Sequence, residues 1–183
     1  MKELSLNILD VTENSVKAGA SLTEILLTET AETLTIVIRD NGCGMDEETV
    51  KAVVDPFYTT RTTRKVGLGV PLLKLAAEQT EGSFSVESSV DEKTHGTSVT
   101  AVFNKNHLDF TPLGDVVSTL TTLIQGHPDT DFYFSHRKGE GVVALDTREI
   151  REVLEGVPLN SYEVIKWIEE YLNEQYSENL LNK

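Results

Sequence analysis

Apolar positions first recur at helical spacing. Leu4, Ile8, Val11 and Ser15 share one face, and Asn7, Asp10, Asn14 and Lys17 share another. The spacing predicts a helix from Lys2 to Ala18, ended by Gly19-Ala20. The period then shortens to two. Leu22 to Thr30 and Thr33 to Arg39 read as neighbouring strands joined by Thr30-Ala31-Glu32. The second contains the β-branched run Leu34-Thr35-Ile36-Val37-Ile38 and stops at Asp40-Asn41-Gly42-Cys43-Gly44. Met45-Asp46-Glu47-Glu48 opens a helix with acids in its first turn, where the dipole favours them, and that helix ends near Asp55-Pro56. Residues 56–66 carry no apolar period. A helix follows from Val70 to Gln79, then a pair of strands, Ser83 to Val90 and Ser98 to Phe103.

The pattern beyond Asn104 is of another kind. Pro112 to Gln125 reads as a helix, and Asp131 to His136 with Gly141 to Leu145 as a hairpin around Arg137-Lys138-Gly139-Glu140. Thr147 to Glu155 is a short amphipathic helix. Asn160 to Tyr176 is a longer one, with Asn160 and Glu163 as a capping box. Its stripe of Ile165, Ile168, Leu172 and Tyr176, flanked by Trp167 and Tyr171, reads as core. With no low-complexity linker, residues 105–183 are expected to pack against the first half.

Composition narrows the classes. The 183 residues are 39% hydrophobic and 25% charged, as in globular domains. No window is apolar for the length of a membrane span, and no basic-then-apolar leader is seen. The single cysteine, Cys43, fits a reducing cytoplasm. A formal net charge of −14 argues against nucleic acid or an anionic membrane as partner. A phosphate site must then be a local island of cations and backbone N–H groups.

Three stretches can carry chemistry. The Asp-Asn-Gly-Cys-Gly turn puts a carboxylate at a strand end, with Gly42 and Gly44 free to take positive φ and admit a flat ligand close to the main chain. By itself it also serves as an ordinary turn. The first helix aligns amides, a carboxylate and a cation, which is either a solvated face or a site. The basic loop with Arg61, Arg64 and Lys65 closes on Gly67-Leu68-Gly69 at a helix N-terminus, a ready anion site.

Together these stretches resemble the ATPase superfamily that joins gyrase, heat-shock chaperones, mismatch-repair proteins and sensor histidine kinases. Asp40-x-Gly42-x-Gly44 resembles its first glycine box, followed by Met45. Residues 10–20, through Asn14 to Ala18-Gly19-Ala20, resemble its asparagine box. Phe57-Tyr58-Thr59-Thr60 and Gly67-Leu68-Gly69 resemble the phenylalanine box and second glycine box that frame the ATP lid, and Gly96-Thr97 the last box. The resemblance covers about residues 3–103. It implies an α/β (α+β) domain over residues 1–104, a two-layer sandwich of a mixed sheet with helices on one face, followed by a small α+β unit over 105–183. It implies ATP and Mg²⁺ as cofactors: Asp40 reads the adenine amino group, Asn14 holds the metal, and Lys17, Arg61 and Lys65 face phosphate. Phe57, Gly42, Gly44, Met45, Gly67, Leu68, Gly69 and Thr97 complete the nucleotide site. One hard, hydrated cation needs only one or two protein oxygens, so a single Asn suffices.

Two departures bear on turnover. The family's general base, a Glu four residues before the Asn, is here Asp10, one methylene shorter; Glu13 lies about 100° round the helix. Lys65 stands where sensor kinases have a glycine. Three classes then compete: a kinase acting on a partner in trans, an ATP-driven switch that dimerises, and a nucleotide-sensing module without turnover. His107-x-x-x-x-Pro112-Leu113 has the spacing of the kinase phosphoacceptor, but Leu108 replaces the following acid and the segment comes after the ATPase half. His95, His127 and His136 show no ligand spacing and read as surface or packing residues.

Overall fold

A computed structural model describes residues 3–55 and 67–180. The first helix, α1 (Leu4–Lys17), buries Leu4, Ile8, Val11 and Ser15, the expected face. Two strands follow, β1 (Leu22–Glu29) and β2 (Thr33–Asp40), then α2 (Glu47–Val53). Asp46 caps α2 by accepting from Thr49 N at 2.8 Å. Helix α3 (Gly69–Gln79) precedes β3 (Ser83–Ser89) and β4 (Gly96–Asn104). The remaining elements are α4 (Val116–Gly126), β5 (Asp131–Lys138), β6 (Gly141–Asp146), α5 (Thr147–Leu154) and α6 (Tyr162–Asn179).

All six strands form one mixed sheet in the order β3-β4-β2-β1-β5-β6. Neighbours run antiparallel except β1 and β5, which pair parallel from Leu22↔Asp131 to Glu29↔Lys138. Register aligns one apolar face. Val99, Ile38, Ile25, Phe134 and Leu145 stand side by side across the sheet, and Ala101, Ile36, Leu27 and His136 form the next row. Residues of α1, α3, α4 and α6 close over that face in one continuous core. The expected α+β class, a mixed sheet with helices layered on it, is what the chain adopts. Residues after 105 add β5 and β6 to the same sheet and Leu120, Leu123, Ile168 and Leu172 to the same core.

Element edges differ from the sequence reading for local reasons. Helix α4 begins at Val116, not Pro112. Pro112 O and Leu113 O instead accept from Leu4 N at 2.9 Å and Ser5 N at 2.8 Å, serving the N-terminus of α1. The capping box of Asn160 and Glu163 does not form. Ser161 is the N-cap of α6, and its hydroxyl donates to Pro158 O. The stripe on α6 is core, as expected, with Ile168 and Leu172 fully buried. On its other side, Gln175 donates to Ala144 O and accepts from Ala144 N, closing the free edge of β6. Among the described residues, no helix is long and apolar enough to cross a membrane.

Candidate nucleotide-binding site

Strand β2 delivers Asp40 to its C-terminal end, opposite Thr97 of β4. The turn after it is fastened on both sides. Asn41 Oδ1 accepts from Ser21 N and Leu22 N, and Cys43 N donates to Ala18 O at 2.9 Å. Gly44 has φ +72°, and a Cβ there would lie 1.8 Å from Ser89 O, so only glycine fits. Gly42 differs from expectation. It keeps an ordinary φ, and its requirement is space, since a Cβ would stand 2.9 Å from Ala18 Cβ.

Asp40 is the hub. Its Oδ1 accepts from Gly42 N at 2.9 Å and Thr97 N at 3.3 Å, and its Oδ2 accepts from Ser15 Oγ at 2.7 Å. Three donors fix the carboxylate, and each oxygen has two acceptor positions. One position on Oδ2 is left for a donor such as an exocyclic amine. Ser88 of β3, paired with Thr97, accepts from Met45 N at 2.8 Å, donates to Gly96 O and bonds Thr97 Oγ1. His95 Nδ1 donates to Gly42 O at 2.7 Å.

These groups border a cavity of about 410 Å³. Met45, Val86 and Val99 give it an apolar wall; Asn14, Lys17, Asp40 and Thr97 give it polar points. Gly44 and Gly67 also line it. Asn14 is half-buried, and its side chain makes no hydrogen bond among the described residues. A Cβ on Gly67 would come within 3.7 Å of Asn14 Oδ1, so the entry to α3 stands beside that free amide. The donor set fits a hydrated hard cation between Asn14 and phosphates.

Four expected site residues lie off the cavity wall. Gly42 is buried behind it, and Leu68 is 59% exposed. Gly69 packs on α1, where a Cβ would meet Asp10 Cβ at 2.8 Å. Asp10 is exposed and does not line the cavity, although Asn14 and Lys17 do. Glu13 turns away, held by His127 Nε2 at 2.8 Å. Phe57, Arg61 and Lys65, with Arg64, lie outside the described residues. Sequence reasoning missed Ser15, Ser88 and His95. Ser15 passed as an apolar-face position, and nothing in the alternation of β3 marked Ser88.

Residues 2–107 match the family described as Histidine kinase-, DNA gyrase B-, and HSP90-like ATPase. The chain belongs to that family. Within this ATPase family it is 28% identical over 106 residues to a putative sensor protein of Shewanella frigidimarina. It is 33% identical over 98 residues to the sensor histidine kinase YvrG of Bacillus subtilis. These matches take in 56% and 50% of this chain, yet only 16% of either relative, so the chain spans a small part of their length. The MutL ATPase domain of Aquifex aeolicus, solved with ADP, shares the fold with a TM-score of 0.56 and 16% identity. That likeness covers 85% of this chain and 70% of the other, reaching past the family match.

Proposed function

We propose that this ATPase-family chain binds Mg-ATP in the cavity at the end of β2 and acts as a signalling kinase on a partner in trans. The observation that carries the reading is Asp40, oriented by Ser15, Gly42 and Thr97 at a cavity that the free Asn14 amide and Lys17 also line. Adenine would lie against Met45, Val86 and Val99 and donate its amino group to Asp40. Asn14 Oδ1 would hold Mg²⁺, which when bound supplies charge neutralisation between the phosphates. Lys17 would offset phosphate charge in a strongly acidic protein. Asp10, exposed and off the cavity wall, is badly placed to take a proton from water, so transfer to a partner is favoured over hydrolysis. The lone cysteine, Cys43, supports a reducing, cytoplasmic setting.

A second reading is an ATP-driven conformational or dimerisation switch. It is favoured by Ala18, whose carbonyl anchors Cys43 N and so ties the end of α1 to the adenine turn. Incubation with γ-labelled ATP, with and without cell extract, separates the readings. Label on a protein of the extract supports the kinase. Free phosphate, with a dimer that forms in ATP and not in ADP, supports the switch. Bound but unreacted ATP would make the chain a nucleotide-sensing module.

A further inference from the structure

The sheet edge farthest from the nucleotide cavity borders a larger hollow of about 770 Å³, between α5 and α6. Tyr133 lines it from β5, Ile150 and Val153 from α5, and Val164, Trp167 and Tyr171 from α6. Trp167 and Tyr171 stack with centroids 5.0 Å apart and planes 12° apart, making one flat aromatic wall. Apolar surface continues outside the hollow. Val153 on its wall is 81% exposed, and beyond it Val157 on the α5–α6 connection and Tyr162 at the start of α6 stand open. Aromatic and aliphatic side chains left open together in this way can serve as the apolar centre of a contact surface.

Its rim is acidic. Asp146, Glu149 and Glu163 border the hollow. Both arginines of α5 are already engaged: Arg148 Nη2 lies 2.7 Å from Asp146, and Arg151 Nε lies 2.7 Å from Asp131. Glu149 and Glu163 have no ion-pair partner among the described residues. The surface therefore offers apolar contacts in the centre and unpaired carboxylates at the border. An anionic membrane would be repelled by it. A helix with apolar side chains at i, i+3, i+4 and i+7 and lysines or arginines on its flanks would satisfy both features.

We propose that the groove between α5 and α6 is the docking surface for a basic amphipathic helix of a partner protein. Strand β1 lies between the strands that line the groove and those that line the nucleotide cavity, and no residue lines both, so both sites can be filled at once. The assignment does not depend on what the nucleotide site does.

Trp167 is the chain's single tryptophan, so its emission reads the groove directly. The probes are two synthetic helical peptides with the same leucine stripe, one flanked by lysines and one by glutamates. The lysine peptide is expected to shift Trp167 emission to the blue and to saturate, with affinity that falls as salt rises. Val153→Asp should weaken it by about tenfold or more, without lowering the melting temperature, because Val153 is already exposed. Glu149→Lys combined with Glu163→Lys should reverse the preference toward the glutamate peptide. Three results would overturn the assignment. One is an equal response to both peptides. Another is no emission change with the lysine peptide on folded protein. The third is a response only to a small apolar dye such as anilinonaphthalene sulfonate, which would make the groove a small-ligand pocket.

Discussion

Ser15 Oγ donates to Asp40 Oδ2 at 2.7 Å, so the first helix aims the carboxylate that ends the second strand. The bond crosses from a helix that also carries Asn14 and Lys17, tying the carboxylate and these two cavity residues to one rigid element. Removing the hydroxyl should loosen the carboxylate without disturbing the fold. Ser15→Ala is expected to weaken ATP binding by about 1 kcal/mol, the usual worth of one such bond. Asp40→Asn should cost more, roughly tenfold or beyond, and relax the preference for ATP over GTP. Calorimetric titration with both nucleotides checks this. Equal affinity of the native chain for GTP and ATP would remove the adenine assignment.

Asn14 and Glu13 are sequence neighbours with different surroundings. Asn14 lines the cavity with a free amide, while Glu13 is bound to His127 at 2.8 Å. Asn14→Ala should therefore erase the Mg²⁺ dependence of nucleotide binding. Glu13→Gln should leave that dependence intact and shift the melting temperature by only a few degrees, through the half-exposed pair with His127. Titrations with and without EDTA read the first effect, and thermal melts the second. The same Mg²⁺ dependence in Asn14→Ala as in the native protein would move the metal elsewhere.

Turnover tests the place of Asp10. Its backbone packs against Gly69 and its side chain is exposed, so intrinsic hydrolysis should be slow. Asp10→Glu lengthens the reach by one methylene and is expected to raise phosphate release. Asp10→Asn should lower it. If Asp10→Asn releases phosphate as fast as the native chain in a steady-state assay, Asp10 is not the base.

Acid should unfasten the junction of β1, β5 and α6. His136 Nε2 bonds Glu29 at 3.0 Å, Lys105 Nζ bonds it at 2.8 Å, and His136 Nδ1 meets Tyr176 Oη at 2.8 Å. The His136 bond, helped by Lys105, holds the Glu29 carboxyl down from 4.5 to about 2, against the opposing effect of burial. A carboxyl depressed on folding contributes stability above its unfolded value, and that contribution fades as pH falls from about 4.5 through about 2. Melts across that window should show a steep decline for the native chain. Glu29→Gln should start lower at neutral pH and decline less. Parallel curves would show that Glu29 does not carry the effect.

Much of the first half was legible because local pattern and chemistry agree there. The apolar face of α1, the β-branched run of β2 and the acidic first turn of α2 each carry their signal within a few residues. What was illegible depends on distant partners. Pro112 and Leu113 look like the start of a helix until the open N–H groups of Leu4 and Ser5 take their carbonyls. The hydroxyls of Ser15 and Ser88 become site groups only when β2 and β4 bring Asp40 and Thr97 beside them. Helical phase placed Asp10 with Asn14 and Lys17, but phase alone does not say where the cavity wall ends. His95 and His127 read as surface or packing residues, and the particular acceptor each holds, Gly42 O and the Glu13 carboxylate, is set by distant chain.

The parallel pairing of β1 with β5 has a consequence for biosynthesis. Leu22 to Glu29 can be hydrogen-bonded to β2 early, as the chain leaves the ribosome, but their other side waits for residues 131–138. Until then β1 is an open edge, with Ile25 and Leu27 lacking their neighbours Phe134 and His136. A shortened chain ending near residue 104 would keep that edge permanently, and would be prone to pair with other copies of itself before it could serve any nucleotide.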